Sequence, residues 1–200
     1  MKMSPKILFA LALIAASLSK AADAQTDDLD WVDWDLVNAG EVVFTTEKVD
    51  RGTVRIDLAI AMKTDHDTLW DLLTACEISP EYVPHVVACR RIAAIRECDC
   101  EFFEQTVKPA FFLPRFEHVF ALEYFRPGRI EVSHVSGPID RMEGGWQLIE
   151  RAENDIVLIY SLTLKPGFPV PPLFVRNTLR SDLPKVLTAL RERAERQANE

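Results

Sequence analysis

Apolar residues recur along this chain at two different periods. Ile156, Leu158, Tyr160, Leu162 and Leu164 occupy every second position, which predicts a strand with one buried face. Val54, Ile56, Leu58, Ile60 and Met62 do the same earlier on. They alternate there with Arg55, Asp57, Ala59 and Ala61, so one face is expected to be buried and the other wet, as in an antiparallel sheet covered on one side. Towards the C-terminus the period changes. Leu179, Leu183, Val186, Leu187, Leu190 and Ala194 return at helical spacing with charges between them. Strand and helix are separated by Pro166-Gly167-Phe168-Pro169-Val170-Pro171-Pro172, a run that can neither continue a strand nor lie inside a helix.

The same reading places further strands over residues 41–47, 86–97, 101–108, 116–125, 129–136 and 142–150. Turns fall at Asp50-Arg51-Gly52 and Pro127-Gly128, and Gly137-Pro138 ends a strand. Thr64 or Asp65 is positioned to cap a short helix running to about Cys76, with Leu69, Trp70, Leu72 and Leu73 on its apolar side. Residues 78–85 form a second short helix or turn, closed by Pro84. His66 falls in the cap region, where it is expected to be solvated. Pro184 sits within the C-terminal helical pattern, where a missing donor predicts a kink, with Asp182 placed to cap the downstream half. The class is α+β: a curved antiparallel sheet whose apolar face needs a cover, and one terminal helix long enough to supply it.

Composition adds a compartment and removes some partners. Lys2 and Lys6, the apolar run from Ile7 to Leu18 and Ala22-Asp23-Ala24 together read as a secretory signal peptide over residues 1–24, too short to span a membrane. Residues 25–40 follow as an acidic arm carrying Trp31 and Trp34, which offers a third function class, an envelope interaction module. Residues 41–197 form one domain. The chain carries 23 basic and 31 acidic residues. Cleavage after Ala24 leaves 20 and 30, a net of -10, which repels phosphate backbones and makes nucleic acid an unsuitable partner. The expected product is periplasmic, with no stable membrane span once the signal is removed and an oligomeric state the sequence leaves open. In that oxidising setting Cys76, Cys89, Cys98 and Cys100 read as disulfide formers with three possible connectivities. Cys89 and Cys98 lie at the ends of one strand of roughly 30 Å, too far apart to join. Cys76 closes a helix where Cys89 opens a strand, so that pair is preferred. Cys98 and Cys100, at the spacing of a tight turn, are not expected to bridge comfortably. Neither spacing nor neighbouring histidines support zinc.

The order of these pieces resembles the helix-grip fold of the START-like superfamily, which includes polyketide cyclases and coenzyme Q-binding START proteins. The residues that carry the likeness are Trp70-Asp71-Leu72-Leu73-Thr74 ahead of Glu81-Tyr82-Val83-Pro84, then Gly144-Gly145-Trp146-Gln147-Leu148, Ile159-Tyr160-Ser161-Leu162 and the segment from Leu179 to Leu187. Exported members with cysteines flanking the second short helix are similar at Cys76 and Cys89. The resemblance implies a cavity between sheet and helix holding a hydrophobic small molecule such as an isoprenoid quinone or lipid. Its candidate lining is Tyr82, Phe112, His118, Phe120, Trp146, Tyr160, Phe174 and Leu179, with Arg141 at the mouth to hold a polar head. No nucleophile elbow, phosphate-binding glycine loop or metal-ligand spacing is present, and no cofactor is implied. The alternative is a polyketide cyclase-type enzyme using His118, His134 and Arg141 for acid–base chemistry.

Overall fold

The computed structural model describes residues 29–198, and the segment read as a signal peptide lies outside them. The body built from Val32 onward opens on a short helix, α1 (Trp34–Asn38), whose first amides at Asp35 and Leu36 donate to the Asp33 carboxylate. Strands β1 (Val43–Asp50) and β2 (Thr53–Met62) form a hairpin. Helix α2 (His66–Thr74) starts at Asp65, whose carboxylate accepts from the Thr68 amide at 2.8 Å and the Thr68 hydroxyl at 2.7 Å. Those two bonds hold the Asp65 carboxyl below the usual carboxylate range. A 3-10 turn, Cys76–Glu81, leads into β3 (Val86–Ile95), and a second, Arg96–Cys98, into β4 (Cys100–Val107). The meander then continues through β5 (Phe116–Phe125), β6 (Arg129–Ser136), β7 (Ile139–Ala152) and β8 (Asp155–Pro166), and ends in α3 (Pro172–Gln197).

All eight strands join one antiparallel sheet in the order β1-β2-β8-β7-β6-β5-β4-β3. The sheet curves around α3, as the helix-grip likeness implies. Gly144 and Gly145, with φ of 150° and 155°, mark the sharpest backbone demand. A Cβ on either would collide with the neighbouring backbone, Ser161 of β8 on one side and Ile130 of β6 on the other. The main core joins the inward residues of β2, β5, β6 and β8 to α2 and to Val175, Leu179, Leu187, Leu190 and Ala194 of α3. Each large aliphatic group buried there contributes about 1.5–3 kcal/mol, so the two ends of α3 anchor it without help from its middle.

Several expectations are corrected. The second face of β2 is not wet. Ala59, Val157 and Ile159 are buried outside the main core, as are Val32 and Val37, and α1 packs on β2. The carboxylate of Asp57, buried on that face, accepts from Arg55 Nε at 2.9 Å and from the Ser161 hydroxyl at 2.6 Å. His66 is part-buried rather than solvated; it meets the Pro127 carbonyl and stacks on Trp70 at 5.7 Å. Helix α3 runs unbroken through Pro184, so Asp182 caps nothing and instead meets His85 Nε2 at 3.2 Å. Cys76 and Cys89 are joined, with Cα atoms 5.5 Å apart. Cys98 and Cys100 are joined as well, contrary to expectation, around Asp99 in the left-handed region at φ 49°.

The Cys76–Cys89 bond ties α2 and its following turn to an edge of the sheet through a loop of 13 residues. Replacing both cysteines by serine is expected to lower stability by about 3 kcal/mol. Chemical denaturation of that variant against the wild type measures this, and an unchanged midpoint contradicts it.

Candidate functional site

Between the inner face of the sheet and the middle of α3 the side chains do not meet. An apolar hollow remains, in two adjoining lobes of about 230 and 250 Å³ that share walls at Gln105, His118, Met142, Leu162, Leu183 and Val186. Together they reach the size range of small-molecule sites. The outer lobe opens between the β4–β5 loop, at Pro109 and Leu113, and the Pro-rich loop, at Phe168 and Val170. The inner lobe ends against Leu73, Cys76 and Ser79, below the first disulfide. A separate depression of about 490 Å³ lies beside α2, with charged groups on its walls. Arg91 and the Tyr124 hydroxyl both donate to Glu101, at 2.5 and 2.8 Å.

Tyr82, Phe120, Trp146 and Tyr160 stand in the inner lobe, Phe174 and Leu179 in the outer one, and His118 in the wall between them. Two candidates fall outside. Arg141 follows strand alternation: Met142 points into the hollow, so Arg141 and Glu143 project from the opposite face and pair there. Phe112 sits on the β4–β5 loop, 61% exposed, with its ring against Phe174 rather than in the cavity. Sequence reasoning overlooked Gln105, Met142, Leu162 and Leu183. Gln105 was findable, since it shares a face of β4 with buried Phe103.

The polar groups of this lining are few. Trp146 and Tyr160 stack at 5.3 Å with their planes 19° apart, giving the inner lobe a flat aromatic wall. Burial raises the phenols of Tyr82 and Tyr160 above their ordinary value, so both are neutral hydroxyls at any physiological pH. Among the described residues neither hydroxyl bonds to a protein group. His118 is 4% exposed, and its Nε2 lies 3.1 Å from the Gln105 side-chain oxygen. Because that oxygen accepts, Nε2 carries the proton and Nδ1 keeps its lone pair, without a partner. Its position leaves no room for a side chain at Gly137, where a Cβ would come within 2.7 Å of His118 Cα.

Desolvation first, and the nearby His134 ring second, push the His118 pKa down to about 4. The two imidazoles do lie together on the inner face, with ring centroids 6.5 Å apart. Arg141 is not with them. A histidine of pKa about 4 is uncharged and weakly basic at neutral pH, so the deep site offers little to general acid–base chemistry. The ionisable pair that faces the hollow, His85 and Asp182, sits in the outer lobe. Among the described residues no group of three or more His, Cys, Asp or Glu converges to hold a metal ion.

The family profile described as polyketide cyclase / dehydrase and lipid transport matches residues 62–191. No curated protein matches the chain in sequence. Among solved structures, a START superfamily protein from Mycobacterium smegmatis aligns with a TM-score of 0.62 at 16% identity, covering 72% of this chain and 98% of that one. Human STARD10 aligns with a TM-score of 0.67 at 15% identity over 76% and 69%. The aromatase/cyclase Zhui from a Streptomyces species aligns with a TM-score of 0.58 at 11% identity over 74% and 94%. At such identities these likenesses show a common fold.

The depressed His118 pKa has a signed consequence. Between the ordinary value of 6.5 and about 4 the unfolded chain binds a proton that the folded chain refuses, so stability falls as pH drops through that window and is unaffected by this group above it. Denaturation midpoints at pH 7 and pH 4 should differ less in His118→Gln than in wild type, by up to about 3 kcal/mol. Equal pH dependence in the two proteins contradicts the assignment.

Proposed function

We propose that this chain, which belongs to the polyketide cyclase / dehydrase and lipid transport family, binds and carries a lipophilic small molecule outside the cytoplasm. The observation that carries the reading is the two-lobed apolar hollow between the sheet and α3. Its size suits a molecule with a flat ring or a folded hydrocarbon chain. The stacked Trp146 and Tyr160 favour a flat ring, such as a quinone or another aromatic head, in the inner lobe. The Tyr82 and Tyr160 hydroxyls, which among the described residues bond to no protein group, favour an oxygen acceptor on that head, to which a neutral phenol can donate. Export is supported by the N-terminal pattern and by the two disulfides, which persist in an oxidising compartment. STARD10 and the aromatase/cyclase show that one fold serves both a START protein and an enzyme. The neutral His118 and the outward Arg141 weigh towards carriage here.

Protein purified under native conditions and opened with organic solvent is expected to release about one equivalent of a lipophile. Leu183, on the shared wall of the two lobes, offers a way to close the site: Leu183→Trp should reduce that yield about tenfold or more while the protein stays folded. Tyr160→Phe should weaken rebinding of the extracted molecule by about three- to tenfold, the worth of one hydrogen bond. Extracts without any lipophile, from wild-type protein that also takes up none when it is offered, would sink the carrier reading.

A further inference from the structure

Two exposed phenylalanines stand beside the mouth of the hollow. Phe111 is 91% exposed and Phe112 61%, on the β4–β5 loop, and Leu173, 57% exposed, faces solvent from the first turn of α3. The phenylalanines form one patch, with Leu173 next to Phe174 in the sequence of α3. The Phe111 and Phe112 rings meet at 5.2 Å, and Phe112 reaches Phe174, which lines the outer lobe, at 5.8 Å. Large apolar groups exposed together at a cavity rim require a partner surface.

Charge identifies that surface. The two segments that build the patch, residues 108–115 and 168–180, contain Lys108, Arg115, Arg176 and Arg180 and no Asp or Glu, in a chain whose formal net charge is -8. Lys108, Arg115 and Arg176 are exposed, and among the described residues none of the three is in an ion pair. Some basic side chains elsewhere are held in ion pairs, as at Arg90–Glu104, Arg141–Glu143 and Arg193–Glu81, which these three are not. Lys108, Arg115 and Arg176 thus flank the phenylalanines, and Asp182, the carboxylate in the outer-lobe lining, is engaged by His85 and Lys185. An apolar layer immediately beneath a sheet of negative charge meets both requirements, and a lipid bilayer with anionic headgroups has that profile. A second copy of this acidic chain offers the opposite of what the cations need.

We propose that the tip of the β4–β5 loop and the first turn of α3 form a docking surface for an anionic bilayer, with Phe111, Phe112 and Leu173 entering the acyl boundary and Lys108, Arg115 and Arg176 meeting the headgroups. This extends the carrier reading by specifying where cargo is exchanged, since the docked face is the rim of the outer lobe. Docking needs no cargo in the hollow, so either claim can fail alone.

The test is vesicle flotation, with protein purified from cells expressing the full chain. Vesicles are phosphatidylcholine alone or phosphatidylcholine with about one-third phosphatidylglycerol. Wild type should float with the anionic vesicles, weakly with the neutral ones, and less as salt rises from about 0.1 to about 0.5 M. Phe111→Ser combined with Phe112→Ser should lower partitioning about tenfold or more on both compositions. Lys108→Glu with Arg115→Glu and Arg176→Glu should abolish the preference for phosphatidylglycerol and leave the weak neutral association. All five positions are exposed, so thermal midpoints should match wild type and losses of binding report the surface. Because variants and wild type share the same N-terminus, its contribution cancels. The proposal is overturned if wild type floats with neither composition, or if the serine pair floats like wild type. It is equally overturned if the patch proves to hold a dimer that the serine pair dissociates, without vesicle association in either form.

Discussion

A bent sheet and a straight rod cannot stay in contact along their whole length, and this mismatch governs the molecule. Bending is written into the backbone at Gly144 and Gly145, where β6 and β8 press so close that no side chain fits. Helix α3 is anchored through Val175 and Leu179 near its start and Leu187, Leu190 and Ala194 near its end. Over its middle, Leu183 and Val186 look across a gap at Gln105, His118 and Met142. Aromatic side chains line the gap without filling it, because Trp146 and Tyr160 stack on each other along the sheet instead of reaching across. Filling the space with the chain's own atoms would gain dispersion energy, so an empty hollow of this size costs stability unless a guest restores those contacts.

The polar groups inside this hollow are arranged to stay neutral. Desolvation disfavours charge at His118 and at the two phenols alike, and the nearest imidazole adds to the effect at His118. Ionisable groups are displaced to the rim, where His85 meets Asp182, or to the opposite face, where Arg141 meets Glu143 and Arg55 meets Asp57. A neutral interior with a few oriented hydroxyls suits an oily molecule with an oxygen on it. The rim, with bare phenylalanines and unpaired cations around it, belongs to a different solvent from the acidic remainder of the surface.

Most of the fold was legible because strand alternation and the final helical stripe are strong periodic signals. The strands, the terminal helix and the pairing of Cys76 with Cys89 all followed from local pattern. The aromatic lining followed from the resemblance. What escaped depended on which way a side chain turns. Arg141 and Met142 are neighbours in sequence, and one step of register sends them to opposite faces, which no composition reveals. Phe112 was an aromatic in the right place along the chain, but a loop between Pro109 and Pro114 has no period to orient it. The outer cover of β2 came from α1, a helix of five residues too short for any apolar stripe to register. The Cys98–Cys100 bond depends on the left-handed conformation of Asp99, a backbone choice not written in the spacing of the cysteines.

Met142 lines both lobes and lies at the centre of the gap between sheet and helix, so its methyl group is the natural reporter of whether anything enters. With a carbon-13 label on the methionine methyls and an unlabelled lipophile bound, isotope-filtered nuclear Overhauser spectroscopy gives the most direct reading. Contacts from the guest's protons to the Met142 methyl, saturating at one equivalent, are the predicted result. Contacts absent at Met142, while the same guest broadens signals from the exposed β4–β5 loop, would contradict a hollow that carries cargo.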